Sequence, residues 1–281
     1  MPNPEPHRPG TLIETDEEVR EALQQHAPVG VTPKPQSAGA VPWRPTVRPP
    51  VATLIVYEDG KTIGEAIPIR AAKFVIGRTE GDLRIPHDEL ISTRHVEITR
   101  QQVGGIFRWV LTDLQSTNGL FIRVTRTQLT DRTEILVGNG RYRFDAPDVE
   151  AGGTVDHLPG DVKSTGSTHN WGDGQPASRP PALTELLGDS IGNRVVLTRP
   201  EYWIGTDPAC AICRPDDPFC EPRHCRISRG SKGGWYAEHP RTLNGLWYRV
   251  PQVVLDRTAQ FQIGEQRFRL RIEPYVSQVG T

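Results

Sequence analysis

The segment FVIGRTEGDLRIPHDELISTRHVEI, residues 74–98, begins and ends with short runs of β-branched and aromatic residues, which are separated by charged residues, Gly and Pro. The same composition recurs in LTDLQSTNGLFI at 111–122 and in DRTEILVGNGRYRF at 131–144. Short runs of this kind, bounded by turn residues, predict β-strands. No apolar period of helical length lies between them, so the region is predicted to be a meander of strands.

A second set of segments repeats this pattern later in the chain. The segments are YWIGTDPACAICRPDDPFCEPRHCRI at 202–227, RTLNGLWY at 241–248 and DRTAQFQIGEQRFRLRI at 256–272. The spacing repeats as well, because Gly77 precedes Asn118 by 41 residues and Gly205 precedes Asn244 by 39. We interpret this agreement as an internal duplication.

The duplication predicts an all-β protein with two β-sandwiches. We expect the first at 51–146 and the second at 182–275, and we expect the Gly-, Ser-, Thr- and Pro-rich linker at 147–181 to be disordered. Residues 1–50 are expected to form a flexible, Pro-rich tail. Within the tail, DEEVREALQQ at 16–25 predicts a short helix, because acidic residues in a first turn interact favourably with the helix dipole.

Composition excludes several classes of function. The net charge of -1 creates no global field that would attract nucleic acid or an anionic membrane. No run approaches about 18 apolar residues, so no membrane insertion is expected. The first residues lack the apolar core of a secretory signal, which predicts a cytoplasmic protein. No P-loop, kinase, metalloprotease or serine-hydrolase motif occurs, so we expect neither an enzyme nor a cofactor.

Three polar motifs of the first copy lie at predicted strand ends: GR at 77–78, STRH at 92–95 and STNG at 116–119. As loops they can meet at one edge of a sandwich, where binding residues are usually found. Their order and spacing resemble the forkhead-associated (FHA) domain, a β-sandwich that binds phosphothreonine. The resemblance extends over about 52–145 and, with losses, over about 182–273.

The resemblance implies that Arg78, Ser92, Thr93, Thr117 and Asn118 contact a phosphopeptide. Phosphothreonine carries about -1.5 to -2 charges, which the planar guanidinium of Arg78 suits. The hydroxyls of Ser92 and Thr117 can donate to phosphate oxygens, and Asn118 can hold the peptide backbone. The family often has Arg or Lys where Thr93 stands, and this departure predicts a lower affinity.

The same resemblance implies structural roles for Gly77, His95 and Gly119. His95 is expected to brace the loop beneath the site without catalysing anything, and Gly119 is expected to permit a turn. The alternative is that Arg78 is a solvated turn residue and that STNG is ordinary turn material. The combined spacing of the motifs favours a ligand site.

The second copy differs at the positions that a phosphate needs. Thr206 stands where the first copy has Arg78, and Glu221 stands where it has Ser92. A carboxylate about 4 Å from phosphate is repelled by about 1 kcal/mol even in water. We therefore predict that this copy keeps the fold, has lost phosphothreonine binding and serves protein contact or dimerisation. Rescue by a nearby cation is the alternative, from Arg214, Arg223 or Arg241.

All four cysteines lie in the second copy, at Cys210, Cys213, Cys220 and Cys225. With the neighbouring His224 they suggest a structural zinc site. The alignment argues against zinc, because Cys220 matches Ile91 and Cys225 matches Val96 at inward strand positions, whereas Cys213 should point outward. Disulfides are disfavoured in a cytoplasmic protein.

These features predict a phosphothreonine-dependent adaptor of Ser/Thr-kinase signalling. The expected partners are phosphothreonine-containing proteins and a Ser/Thr protein kinase. The main alternative is a phospho-independent scaffold of a secretion system or another assembly, which uses the FHA fold for protein contacts alone.

Thr11 and Thr15 of the tail are candidate phosphosites. Both lie in an acidic context before the first sandwich, and a linker of about 25 residues would let a phosphorylated tail reach the site of its own chain. The alternative is an unmodified flexible tail.

Overall fold

A computed structural model describes residues 12–25, 49–57, 64–104, 106–146 and 179–272. The described chain is nearly all β, with two sheets, which confirms the predicted all-β class. The predicted linker and Thr11 lie outside the described residues, apart from residues 179–181 of the linker. No helix in the described part has the length and apolarity needed to cross a bilayer.

The elements are named in chain order. The tail contributes β1 (Leu12–Ile13) and α1 (Asp16–Gln25). The first copy contributes β2 (Ala52–Val56), β3 (Glu65–Ile69), β4 (Lys73–Gly77), β5 (Leu83–Arg84), β6 (Val96–Val103), β7 (Ile106–Asp113), β8 (Leu120–Leu129), β9 (Thr133–Val137) and β10 (Gly140–Asp145). The second copy contributes β11 (Ala182–Leu187), β12 (Ser190–Val196), β13 (Glu201–Gly205), β14 (Ile212–Cys213), β15 (Cys225–Arg229), β16 (Trp235–Glu238), β17 (Leu246–Val250), β18 (Gln252–Leu255), β19 (Ala259–Ile263) and β20 (Gln266–Arg271).

The helix α1 begins at the residue that the sequence predicts. Thr15 precedes it and Glu18 lies three residues further on, which is the pattern of a capping box. The Thr15 amide donates to Glu18 Oε2 at 2.6 Å, and the Thr15 hydroxyl donates to the same oxygen at 2.9 Å. The Glu18 amide donates back to Thr15 Oγ1 at 3.3 Å. These bonds satisfy backbone donors of the first turn, which explains why a helix forms in this short polar segment.

Strand pairing crosses between the two copies. In the first copy, β2 pairs antiparallel with β20 of the second copy, and β7 pairs with β18. Strands of the first copy also complete sheets of the second copy. β10 pairs with β11, and the C-terminal end of β8 pairs with β16. The first sandwich therefore consists of β2–β7, residues 120–124 and β18–β20. The second sandwich consists of residues 126–129 and β9–β17.

This exchange differs from the one-sandwich-per-copy arrangement that the duplication predicts. Equivalent strands of the two copies, such as β10 and β20, carry the same alternation of apolar residues. The strand of one copy can therefore take the place of its equivalent in a sheet of the other copy. The sequence boundaries 51–146 and 182–275 remain predictions. Each sandwich combines strands from both of these ranges.

The two sandwiches join where β8 and β17 pair antiparallel. Ile122 lies opposite Tyr248 at the centre of this pairing, so corresponding residues of the two copies are related by a local pseudo-twofold axis. Each chain segment enters the junction through a glycine with positive φ, +88° at Gly119 and +66° at Gly245. A Cβ on Gly119 would lie 2.2 Å from Nε of Arg249, so a side chain there would displace that guanidinium.

The core of the first sandwich needs side chains of the second copy. Phe268 and Leu270 of β20 are fully buried in the same apolar cluster as Leu54 and Ile76. Burial of one such side chain contributes about 1.5–3 kcal/mol. A polar contact supports the same exchange, because the Glu265 amide donates to the buried Asp88 Oδ2 at 2.8 Å.

Candidate functional site

Two loops at one end of the first sandwich lie side by side. The Arg78 amide donates to the Ser92 carbonyl at 2.9 Å, and the Glu80 amide donates to the Thr93 carbonyl at 3.0 Å. Gly77 makes this approach sterically allowed, because a Cβ there would lie 2.2 Å from the Thr93 carbonyl oxygen. The GR and STRH motifs thus form one backbone-linked unit.

His95 connects this unit to the third loop. It is fully buried, its Nδ1 accepts the Ser92 amide at 3.1 Å, and its Nε2 lies 3.1 Å from the Gly119 carbonyl. Because Nδ1 accepts a backbone N–H, we assign the proton to Nε2, which donates to Gly119. Burial lowers the pKa of His95 below its usual 6.5 and outweighs the opposing effect of the Gly119 hydrogen bond. A neutral imidazole therefore holds the loops together.

The STNG loop is fixed against Ser92 and Leu90. The Thr117 amide donates to Ser92 Oγ at 3.2 Å, so the Ser92 hydroxyl proton can point to another acceptor. Asn118 Nδ2 donates to the Leu90 carbonyl at 2.9 Å. Among the described residues Asn118 Oδ1 has no hydrogen-bond donor, which leaves it able to accept an N–H from a ligand.

The five predicted ligand residues therefore lie on neighbouring loops. Thr93 and Thr117 are exposed, and Arg78, Ser92 and Asn118 are partly exposed. Within the described part of the chain, the guanidinium of Arg78 has no carboxylate partner. A guanidinium without a counter-ion can bind an anion without first breaking an ion pair, and the loop of Arg78 is hydrogen-bonded to that of Ser92, which contacts the Thr117 amide.

Sequence reasoning did not assign a role to Arg94 or Leu90. Arg94 is exposed and follows Thr93 directly, so it is a second cation in the same loop. Leu90 is 46% exposed, and its carbonyl holds Asn118. The STRH motif contains Arg94, but Leu90 could not be singled out without the contact.

The second copy keeps the frame of the site and changes its chemistry. His224 repeats the contacts of His95, accepting the Glu221 amide at 3.1 Å and lying 2.9 Å from the Gly245 carbonyl. The Leu243 amide, which corresponds to that of Thr117, donates to Glu221 Oε1 at 2.7 Å. The Leu243 amide therefore donates to a carboxylate, whereas the Thr117 amide of the first copy donates to the Ser92 hydroxyl.

The three arginines considered as a rescue all have acidic partners. Arg223 lies 3.9 Å from Asp207, and Arg241 lies 2.7 Å from Glu21 of α1. Arg214 lies within 2.9 Å of two carboxylates, Glu185 and Asp217. Any anion that used these cations would compete with existing ion pairs.

A buried ion pair at the junction was not predicted from the sequence. Glu14, between β1 and α1, accepts from the Arg123 guanidinium, and both side chains are almost completely buried. His239 Nε2 lies 3.5 Å from the same Glu14 carboxylate. Burial by itself raises the pKa of Glu14, but the contact with His239 and the charge of Arg123 outweigh it and lower the pKa.

The cysteines are placed as the strand alternation predicts. Cys220 and Cys225 are buried in the core and Cys213 is exposed. Burial raises the pKa of the Cys220 thiol to about 12 and also raises that of Cys225. Among the described residues no group of three or more His, Cys, Asp and Glu side chains is arranged to hold a metal ion.

We expect alkylation by iodoacetamide to distinguish these thiols. Cys213 should be modified at least about tenfold faster than Cys220 and Cys225, because the reactive thiolate must be both formed and accessible. Peptide mass spectrometry of the native protein measures the rates, and Cys213→Ser should remove the fast phase. Equal rates at all four positions would contradict the placement.

Comparison with known proteins agrees with the geometry of the first copy. Residues 74–138 match the family model of the FHA domain. This FHA match contains all five predicted ligand residues. That the second copy is also an FHA domain remains a prediction from the repeated spacing. A search of curated proteins found no match to the chain.

Two solved structures are similar to parts of the chain. Full-length yeast Pml1p is 19% identical with a TM-score of 0.25, over 43% of this chain and 75% of Pml1p. Mycobacterium tuberculosis EmbR, in complex with a low-affinity phosphopeptide, is 26% identical with a TM-score of 0.22, over 34% of this chain and 24% of EmbR. At these TM-scores neither similarity indicates a function for this chain.

Proposed function

We propose that the first copy binds phosphothreonine-containing proteins and that the chain acts as an adaptor in Ser/Thr-kinase signalling. The observation that carries the proposal is the Arg78 guanidinium, which has no carboxylate partner among the described residues and lies on a loop that is hydrogen-bonded to Ser92. Its position within the FHA match supports phosphothreonine as the ligand.

Each predicted ligand residue has a distinct role in this proposal. Arg78 pairs with the phosphate, because a guanidinium presents parallel N–H groups to two oxygens. The Ser92 and Thr117 hydroxyls donate to the remaining oxygens, and Thr93 contacts the peptide beside them. Asn118 Oδ1 accepts a backbone N–H of the ligand while its Nδ2 stays bonded to Leu90. The role is one of binding, with no catalytic step.

The second copy contributes protein contacts in this proposal and binds no phosphate. Glu221 repels a phosphate at the position of Ser92, and Thr206 supplies no charge at the position of Arg78. The hydrogen bond from the Leu243 amide to Glu221 Oε1 supports this assignment, because it holds a carboxylate where the first copy holds the Ser92 hydroxyl. The chain therefore binds one phosphothreonine.

The proposed phosphorylation of the tail would require the tail to be released. The Thr15 hydroxyl is part of the capping box of α1, and Glu18 and Asp16 lie next to it. A phosphoryl group on Thr15 would remove the hydrogen bond to Glu18 and add about -1.5 to -2 charges beside these acids. We therefore propose that a kinase modifies Thr15 only after the tail has left the junction.

The proposal is tested with a phosphothreonine peptide library. The chain should retain phosphothreonine peptides, and phosphatase treatment of the same library should abolish retention. Replacement of phosphothreonine by phosphoserine or glutamate tests how far charge alone suffices. Equal binding of treated and untreated libraries would favour the phospho-independent scaffold.

A further inference from the structure

A groove of about 920 Å³ crosses the junction between the two sandwiches. It begins at Asn118 and Leu90 of the proposed phosphopeptide site and reaches Asn244 of the second copy. Arg141 and Arg267 both line it. Asn118 and Leu90 line this groove, so a peptide that continues past Asn118 would lie along it.

Arg141 and Arg267 are equivalent residues of the two copies with different surroundings. Arg141 donates from Nε and Nη2 to Glu134 Oε2 at 2.8 and 2.6 Å. Glu134 also accepts from Arg249 through its second oxygen at 2.9 Å. One carboxylate therefore serves two guanidinium groups on that side of the junction.

The other side of the junction lacks this carboxylate. The residue equivalent to Glu134 is Gln260, which is neutral. Arg123, the equivalent of Arg249, forms an ion pair with Glu14 of the tail. Among the described residues, no acidic side chain pairs with Arg267.

The polar contacts of Arg267 are made with amide oxygens. Nη1 donates to Asn244 Oδ1 at 3.0 Å, Nε donates to Gln262 Oε1 at 3.2 Å, and the guanidinium lies 5.0 Å from the Trp247 ring centroid. Burial, and then the charge of Arg123, lower the pKa of Arg267 to about 10, so it is still protonated at neutral pH. Its positive charge is partly desolvated and has no ion-pair partner in the part of the chain that the structure describes.

We propose that Arg267 binds an acidic group of the phosphopeptide, carried by the part of the peptide that continues past Asn118. The inference rests on the proposed function of the first copy and adds a selectivity for the ligand. The second copy, which lost the phosphate position, would then supply the second anion site of a shared groove. A carboxylate and a second phosphate have the required chemistry in common.

The sheet register indicates how far the acidic group lies from the phosphothreonine. Phe121 pairs with Gln262 and Gln262 pairs with Arg267, so these side chains form one row on three adjacent strands. Neighbouring strands are about 4.8 Å apart, which places Arg267 roughly 10 Å from Phe121. Since Asn118 is three residues before Phe121, an extended peptide would span the interval with about three to six residues.

Peptide affinities measured on the full chain test this inference. A neutral-flanked phosphothreonine peptide is compared with peptides that carry Asp, Glu or phosphoserine about three to six residues away, on either flank. On the flank that enters the groove, the acid should raise affinity about fivefold to tenfold, as expected for a charge pair with a partly buried cation. Arg267→Gln should remove that gain and leave the neutral-flanked peptide unaffected.

Two matched variants test whether the gain in affinity depends on Gln260 standing where the first copy has the carboxylate of Glu134. Arg141→Gln alters the equivalent but neutralised arginine and should preserve the gain. Gln260→Glu restores the carboxylate that the second copy lacks and should abolish the gain without removing any cation. A gain that persists in Arg267→Gln, or that Arg141→Gln abolishes, would overturn the inference. If no phosphothreonine peptide binds at all, the proposed function fails, which is a different result.

Discussion

Arg78→Ala is expected to weaken phosphothreonine-peptide binding about a hundredfold, equivalent to about 2.7 kcal/mol. The Arg78 guanidinium would form the charge-assisted bonds to the phosphate, and truncating one partner of such a pair costs about 2–5 kcal/mol. Titration calorimetry with a single phosphothreonine peptide measures the change.

Arg108→Ala is the matched control for charge. Arg108 is exposed on β7, near the end of the strand that lies away from the STNG loop, so its removal changes the net charge equally without touching the site. We expect Arg108→Ala to bind as the wild type does. Equal losses in both variants would show that long-range charge, and not the Arg78 contact, determines affinity.

Glu14→Ala is expected to lower the free energy of unfolding by about 3–5 kcal/mol. Removing one member of a buried ion pair leaves the other charge uncompensated, and here that charge is the almost completely buried Arg123. Urea unfolding at pH 7 measures the loss. The double variant Glu14→Ala/Arg123→Met should recover part of the stability, because it removes the stranded charge as well.

Glu17→Ala provides the control, since Glu17 is an exposed residue of the same helix. Its effect should stay within about 0.5 kcal/mol. A similar small effect of Glu14→Ala would contradict the docking of the tail at the junction.

The Glu14 ion pair also predicts a dependence of stability on pH. Because the pKa of Glu14 is lowered in the folded protein, its contribution is fully present above the usual pKa of 4.5. Below that pH the unfolded chain binds a proton that the folded chain does not yet bind, so stability falls as the pH falls towards the lowered pKa. Relative to the wild type, Glu14→Ala should show a shallower loss of stability below pH 4.5.

Local chemistry explains which features could be predicted from the sequence. The helix at 16–25 follows from Thr15 and Glu18, which cap it, and the all-β class follows from short apolar runs between turn residues. The placement of Cys220 and Cys225 in the core follows from strand alternation. These features depend on neighbours in the sequence or on the period of a single strand.

The strand exchange could not be predicted from the sequence, because equivalent strands of the two copies have the same alternation of apolar residues. Leu54 lies on β2, and both β10 and β20 have the apolar alternation that is needed to pair with β2. The sequence pattern therefore does not show which of the two strands is its neighbour. Glu14 was missed for a related reason. It is one of several acids in a polar tail, and its burial depends on Arg123, which is 109 residues away.

The number of phosphothreonine peptides that one chain binds tests most directly whether only the first copy binds phosphate. Titration calorimetry with a tight-binding phosphothreonine peptide should give one peptide per chain. Arg78→Ala should weaken this binding about a hundredfold, and Glu221→Ala in the second copy should leave the stoichiometry unchanged. Two peptides per chain, or an affinity that Arg78→Ala leaves unchanged and that requires Arg223, would contradict a single site in the first copy.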